Sequence, residues 1–147
     1  MKLVVAWIGR TKSAPVQSLT TEYLQRLSRY ISCESRELPS EKALFKLVEK
    51  SSGRTPPFLV LLDSRGRQLS SEEIASFLEH HQSRGTQELL FAVGPADGWS
   101  DAARAAPGSI LSLGKITLPH ELARVVLLEQ LYRGFTILKG HPYHAGH

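Results

Sequence analysis

Short apolar runs recur along the chain and alternate with segments of helical period. Each run is too short for a helix and is continuously apolar, which is typical of a strand buried on both faces. The runs cover Lys2–Ile8, 58–62, Glu88–Val93 and 110–113. A weaker alternation over Ser32–Leu38 predicts a further strand at the edge of the sheet.

The intervening segments carry apolar side chains spaced about 3.6 residues apart, which is the period of an amphipathic helix. They predict helices at about 15–30, from 41 to 48, from an opening at 69–73, at 100–106 and at 119–135. Strand and helix therefore alternate, as in an α/β domain with a mainly parallel sheet flanked by helices. Because the chain contains no repeat and no long linker, residues 1–147 are predicted to form a single domain.

Composition narrows the classes of protein to consider. The 147 residues are 41% hydrophobic and 22% charged, the proportions of a folded globular protein. A formal net charge of +4 and a pI of about 9.4 favour a polyanionic partner. Cys33 is the only cysteine, so the chain has neither an intramolecular disulfide nor a cysteine-based zinc site. The apolar start is too short for a signal peptide, and no run reaches the roughly 20 residues that span a bilayer, so we expect a cytoplasmic protein.

Three loops that contain glycine follow predicted strands, at 62–66, 93–98 and 113–118. In open parallel sheets, ligands bind beyond the carboxyl ends of the strands, so these loops are candidates for a binding site. Taken singly, each loop is most simply an ordinary turn. The glycine motifs of Rossmann and P-loop nucleotide sites do not occur, and neither does a G-x-S-x-G nucleophile elbow.

The last predicted helix is apolar on more than one face, so it is either enclosed by its own domain or shared with a partner subunit. Its charged residues are most simply surface charges and ion pairs. The alternative interpretation is that one of them has a functional role. The tail contains His141, His144 and His147, but no carboxylate or thiolate stands beside them, so we expect no metal there. A more specific hypothesis than a metal site is that a histidine of the tail acts on a bound substrate.

Several motifs together resemble a known family. They are TLPH, LLEQLYR and HPYH near the C-terminus, with the opening MKLVVAWIGR and the internal LVLLDSRG and GPADG. In order and spacing they are similar, nearly end to end, to the ribosomal RNA large subunit methyltransferase H family. These SPOUT-class enzymes methylate N3 of a pseudouridine in bacterial 23S ribosomal RNA. The chain departs from the family pattern in the loop 93–98 and at Ala145, which follows the tail histidine.

The resemblance implies a fold, a cofactor and partners. The fold would be α/β with a deep C-terminal trefoil knot, and the protein a homodimer with active sites at the subunit interface. The substrate would be the assembled ribosome and the cofactor S-adenosylmethionine, with no metal and no membrane. The residues implied to hold S-adenosylmethionine are Leu62, Gly94, Leu113, Gly114, Lys115, Ile116, Thr117 and Leu118.

The implied reaction removes a proton from N3, which makes a base useful. We hypothesise that the tail of the partner subunit closes over the target base. His144 would assist proton removal, and Tyr143 would stack on the base or hydrogen-bond to it. Arg124, Arg133 and Lys139 would contact RNA phosphates. Two alternatives stay open: a non-catalytic protein that binds RNA or the ribosome, and an α/β enzyme with a small-molecule substrate.

Overall fold

Strands and helices alternate throughout the computed structural model, which describes residues 1–49, 55–106 and 108–145. In chain order the elements are β1 (Lys2–Ile8), α1 (Ala14–Leu27), β2 (Ser32–Leu38), α2 (Glu41–Val48), β3 (Phe58–Gln68), α3 (Ser71–Ser83), β4 (Glu88–Val93), α4 (Asp101–Arg104), β5 (Ser109–Ser112) and α5 (His120–Leu138). The described strands form a five-stranded parallel sheet in the order β2-β1-β4-β3-β5. The predicted α/β fold with a parallel sheet flanked by helices is confirmed, whereas the knot and the single domain stay predictions.

Helices cover both faces of the sheet, which explains why the strands are apolar without alternation. Leu3 and Val5 of β1 belong to a core that also holds residues of α1, α3 and α5. Val4 and Ala6, on the opposite face of the same strand, belong to a second core with residues of α2 and α4. Both sets are almost fully buried, so the positions of the strand that follow Lys2 have to be apolar on both faces.

Helices α1 to α4 begin at serine caps that the sequence supplies, whereas α5 begins at Pro119 without a side-chain cap. The Ser13 hydroxyl accepts a hydrogen bond from the N–H of Val16 at the start of α1. Ser70 and Glu73 form a reciprocal capping box at the start of α3. Helix α1 ends at Leu27, a little before the prediction, and α5 continues to Leu138, a little beyond it. None of the helices that the structure describes is long and apolar enough to cross a membrane.

The predicted turn at 63–66 is wrong, because β3 continues through it to Gln68. The pairing of β3 with β5 shifts its register between Leu62 and Arg67, so the strand is irregular there but does not end. Gly66 makes this possible, since a Cβ at its position would lie 2.7 Å from backbone atoms of Ile110 and Leu111. The glycine therefore serves a close approach of two strands and not a turn.

Candidate active site

A cleft of about 250 Å³ lies beyond the carboxyl ends of β4 and β5 and against residues 62–64 of β3, where the pairing of β3 with β4 ends. It is lined by residues 62–64, 93–96, 98–99, 112–114 and 116–118, together with His120 and Ala123. All three segments that were singled out in the sequence therefore meet in one place. This position is where ligands bind in open parallel sheets.

Seven of the eight residues predicted to hold a cofactor line the cleft, and Lys115 is the exception. The side chain of Lys115 is exposed, as is that of Ile116, which is 75% exposed at the rim. Gly114 has a φ of +127°, a conformation that favours glycine. Its N–H donates to the Ser112 hydroxyl at 3.2 Å, and the same hydroxyl donates to the Gly114 carbonyl at 2.9 Å.

Trp99 forms a wall of the cleft that the sequence did not predict. Its indole is 5% exposed, and its Nε1–H donates to the carbonyl oxygen of Leu62 at 2.9 Å. A Cβ added at Gly94 would lie 2.8 Å from the Trp99 ring, so the glycine lets the ring approach the loop. A tryptophan directly after a glycine-containing loop that follows a strand is the signal that could have identified it.

Asp63 supplies a negative charge to the cleft. Among the described residues that line it, Asp63 is the only one with a carboxylate, and none is a lysine or an arginine. The side chain is 9% exposed, and Oδ2 lies 3.6 Å from Nη1 of Arg104. Arg104 also donates to the carbonyl of Trp99 and pairs with Asp101. The cleft is thus mostly apolar, with a carboxylate at one side.

The tail lies against α3 and α5 of its own chain. His144 Nε2 is 2.8 Å from Oε1 of Glu72, and His144 Nδ1 is 2.9 Å from Nη1 of Arg133. The ring of Tyr143 makes an edge contact with that of Tyr132, with centroids 4.8 Å apart. The Arg133 guanidinium lies 4.9 Å from the centroid of the Tyr143 ring.

The cleft and the tail of one chain are well separated. Ala123 lines the cleft near the start of α5, whereas Arg133, which contacts the tail, lies ten residues further along the same helix. At 1.5 Å per residue this is about 15 Å along the helix axis. The structure therefore does not bring Tyr143 and His144 to the cleft of their own chain. His147, the third tail histidine, lies outside the described residues.

The burial of Arg124 contradicts the expectation that the charged residues of the last helix lie on the surface. It is 1% exposed, with its guanidinium 3.8 Å from the centroid of the Trp7 ring and Nη1 2.7 Å from the Thr11 hydroxyl. Burial lowers the pKa of Arg124, and the nearby carboxylates of Glu121 and Glu37 partly offset this. In this position the guanidinium cannot reach an RNA phosphate, because it is enclosed within its own chain.

The buried Arg124 belongs to a network that ties the loop after β1 to α5. Glu37 accepts hydrogen bonds from the Trp7 indole N–H at 3.1 Å and from the N–H and hydroxyl of Thr11 at 3.0 Å. Glu121 accepts from the backbone N–H of Ser13 at 3.1 Å. The network fixes the first turn of α5, from which His120 and Ala123 reach the cleft.

Replacing Arg124 by alanine should lower the free energy of unfolding by about 3 kcal/mol, because it leaves a buried gap over Trp7 and removes the bond to Thr11. The matched control is Arg36→Ala, whose side chain is 50% exposed and pairs with Glu34. That exposed pair should contribute about 0.5 kcal/mol or less. Chemical denaturation of both variants measures the difference. Equal losses of unfolding free energy would show that the buried Arg124 side chain does not stabilise the fold.

The other two cations predicted to meet RNA are placed differently from each other. Arg133 is 14% exposed and is held by Glu129, with Nη2 2.7 Å from Oε1. This hydrogen bond raises the pKa of Arg133. Lys139, the residue after α5, is exposed. Of the three, only Lys139 has a freely accessible side chain.

Comparisons with known proteins identify the family. The family model described as "Predicted SPOUT methyltransferase" matches residues 1–144. The ribosomal RNA large subunit methyltransferase H of Koribacter versatilis (strain Ellin345) is 60% identical over 147 residues, which cover 100% of both chains. The protein of that name from Geotalea daltonii is 43% identical over 157 aligned positions, which cover 98% of this chain and 99% of the relative.

A solved structure shows the same fold at much lower identity. It is that of a probable methylase family protein from Haemophilus influenzae Rd KW20, with a TM-score of 0.56 and 8% identity. The match covers 97% of this chain and 69% of the other. At this identity the solved structure shows only the fold, whereas the full-length sequence matches show the family. The chain is a methyltransferase of the SPOUT class and belongs to the ribosomal RNA large subunit methyltransferase H family.

Proposed function

We propose that the protein transfers a methyl group from S-adenosylmethionine to N3 of a pseudouridine in 23S ribosomal RNA, with the assembled ribosome as substrate. The name that the relatives carry supports a site in large-subunit ribosomal RNA. The observation that carries the proposal is the convergence of residues 62–64 of β3 and the loops after β4 and β5 on one cleft. A net charge of +4 is compatible with a polyanionic substrate.

The residues of the cleft fit S-adenosylmethionine. Apolar side chains such as Leu62, Val93 and Leu118 suit the faces of an adenine ring, and the glycine loops offer backbone N–H and C=O groups to its edges. The Asp63 carboxylate complements the positive charge of the donor. When bound, S-adenosylmethionine supplies the methyl group as a sulfonium, and the electron pair of the broken S–CH3 bond stays on sulfur.

The protein contributes position and proton transfer to such a displacement. His144 would accept the N3 proton. Tyr143 would stack on the base or donate a hydrogen bond to it, because burial and a hydrogen bond with Tyr23 raise the pKa of Tyr143 to about 12 and so keep the phenol neutral. The tail lies about 15 Å along α5 from its own cleft, which supports a homodimer in which each tail serves the cleft of the partner.

Lys115→Ala should weaken binding to ribosomes and lower the slope of log K against log salt by about 0.7–0.9, the effect of losing one phosphate contact. Lys115 is exposed beside the cleft, so we propose that its side chain meets RNA, as Lys139 would. Lys46→Ala is the control, since Lys46 is exposed but lies with Lys2 and Glu88 at the opposite edge of the sheet. Equal slopes for the two variants would show that Lys115 makes no contact with an RNA phosphate.

The decisive experiment is transfer of a labelled methyl group to ribosomes that lack the modification, followed by mapping of the labelled base. The proposal expects incorporation at a single pseudouridine. Calorimetry with S-adenosylmethionine separates the reaction from its alternative, since a non-catalytic protein that only binds RNA would give no cofactor heat and no incorporation. Either of those results would overturn the proposed function.

A further inference from the structure

We propose that Glu72 is a positioning residue for His144, which it holds in the tautomer with the proton on Nε2, so that Nδ1 is the nitrogen that accepts the proton of the target base. The inference rests on the proposed function, and it names an acid that the sequence motifs do not include. It starts from two hydrogen bonds that meet at opposite sides of one imidazole ring.

The first hydrogen bond fixes the state of Nδ1. A guanidinium is a donor only, so Nη1 of Arg133, 2.9 Å from Nδ1, has to donate to a lone pair there. Arg133 is itself fixed, because Nε and Nη2 both lie 2.7 Å from Oε1 of Glu129. Nδ1 therefore carries no proton in this arrangement.

The second hydrogen bond fixes the state of Nε2. In a neutral imidazole one ring nitrogen carries the proton, and with Nδ1 accepting, that nitrogen is Nε2. Oε1 of Glu72 lies 2.8 Å from it and accepts the hydrogen bond. The tautomer thus follows from what surrounds the ring, in the way that a carboxylate orients the histidine of a hydrolase triad.

Glu72 is well placed to stay ionised in this role. It is in the first turn of α3, where the helix dipole favours a negative charge. The hydrogen bond with His144 holds the pKa of Glu72 below its ordinary value, and a backbone hydrogen bond adds to this. The carboxylate is 66% exposed, whereas the His144 side chain is 28% exposed, so the carboxylate approaches the ring from the solvent side.

The arrangement defines the path of the proton and requires the Arg133 guanidinium to leave Nδ1 before transfer. The N3 proton of the base would pass to Nδ1, and the pair of electrons left on N3 would form the new N–CH3 bond. The resulting imidazolium would keep its Nε2–H directed at the Glu72 carboxylate. Arg133 covers Nδ1 in the free chain, so the whole guanidinium has to move away first and give up its bonds to Glu129. An RNA phosphate would replace both partners, because it forms strong charge-assisted bonds with a guanidinium.

The test uses Glu72→Ala, Glu72→Gln and the control Glu79→Ala in the full chain. Glu79 is an exposed acid on the same helix, with no described hydrogen bond to the tail. Glu72→Ala should lower kcat on ribosomes roughly tenfold, part of the 10²–10⁴ that a positioned base contributes, with KM for S-adenosylmethionine unchanged. Glu72→Gln should recover most of kcat, because its amide oxygen accepts the same bond. Glu79→Ala should match the wild type.

Nitrogen NMR of His144 in the free protein supplies a readout that a merely structural role would not move. The wild type should show protonated Nε2 and bare Nδ1. When Arg133→Ala removes the donor to Nδ1, the proton should stay on Nε2, and Glu72→Ala in the same background should show a mixture of tautomers. A proton on Nδ1 in the wild type, or wild-type turnover in Glu72→Ala, would overturn the inference. The tautomer is measured without RNA, so a wild-type protein that methylates no ribosome would refute the proposed function while leaving Glu72 still tested.

Discussion

His144→Ala should lower kcat for methyl transfer to ribosomes about 100-fold, which is the contribution of a positioned general base. The dissociation constant for S-adenosylmethionine should stay within about twofold, because in the proposed arrangement His144 acts on the target base and the residues of the cleft hold the cofactor. Single-turnover rates and calorimetry measure the two quantities separately. A loss confined to kcat is expected only if the imidazole acts on the substrate and not on the fold.

The tail offers its own controls for this prediction. His141→Ala removes a second, exposed imidazole whose Nδ1 accepts only the backbone N–H of Tyr143 in the described structure, at 3.2 Å, and it should cost far less. Tyr143→Phe keeps the ring that contacts Tyr132 and removes only the hydroxyl, so it separates stacking from hydrogen bonding. Undiminished turnover in both His144→Ala and Tyr143→Phe would refute a catalytic tail.

The layered fold could be predicted from the sequence because a strand that is buried on both faces has apolar residues at consecutive positions. Every position from Leu3 to Ile8 belongs to one of the two cores, so the run has no polar interruption after Lys2. The same logic located the cleft, since parallel strands put their following loops at one edge of the sheet. Fold and cleft are thus set by local patterns whose meaning does not depend on distant residues.

The errors arose where a partner far away in sequence decides the role of a residue. Arg124 has helical spacing typical of a surface charge, but Trp7 and Thr11 enclose it, and no local pattern reports a stacking partner more than 100 residues away. Gly66 was taken for a turn because glycine favours turns, whereas the approach of β5 is what requires it. The contact of His144 with Glu72 joins α3 to the tail and has no motif at all.

Gly94→Ala should weaken S-adenosylmethionine binding tenfold or more, which corresponds to about 1.4 kcal/mol. The added Cβ would lie 2.8 Å from Cε2 and 3.0 Å from Nε1 of Trp99, closer than side chains pack. The indole cannot move aside easily, because it is buried and bonded to the carbonyl of Leu62. Overpacking of this kind costs about 1–3 kcal/mol. Here it would displace Trp99, which lines the cleft.

The control for Gly94→Ala adds an atom to the same loop where there is room. Ala96 is exposed at the rim of the cleft, so Ala96→Ser should leave the dissociation constant nearly unchanged. Thermal melting of both variants separates a damaged cleft from a damaged fold. Wild-type affinity in Gly94→Ala would mean that the Trp99 wall does not shape the cofactor site.

The two variants, Gly94→Ala with a damaged cleft and His144→Ala with a damaged tail, together decide which chain supplies the tail. If each tail serves the partner's cleft, a mixed dimer has one site in which both defects meet and one site with neither. At a concentration of S-adenosylmethionine below its dissociation constant, where Gly94→Ala alone is slow, equal amounts that exchange subunits at random should then recover about a quarter of wild-type turnover, because half the dimers are mixed and each has one intact site. If the tail acted on its own chain, every site would carry one defect. Mixing would then recover no activity beyond that of the separate variants, which would refute an active site shared between subunits.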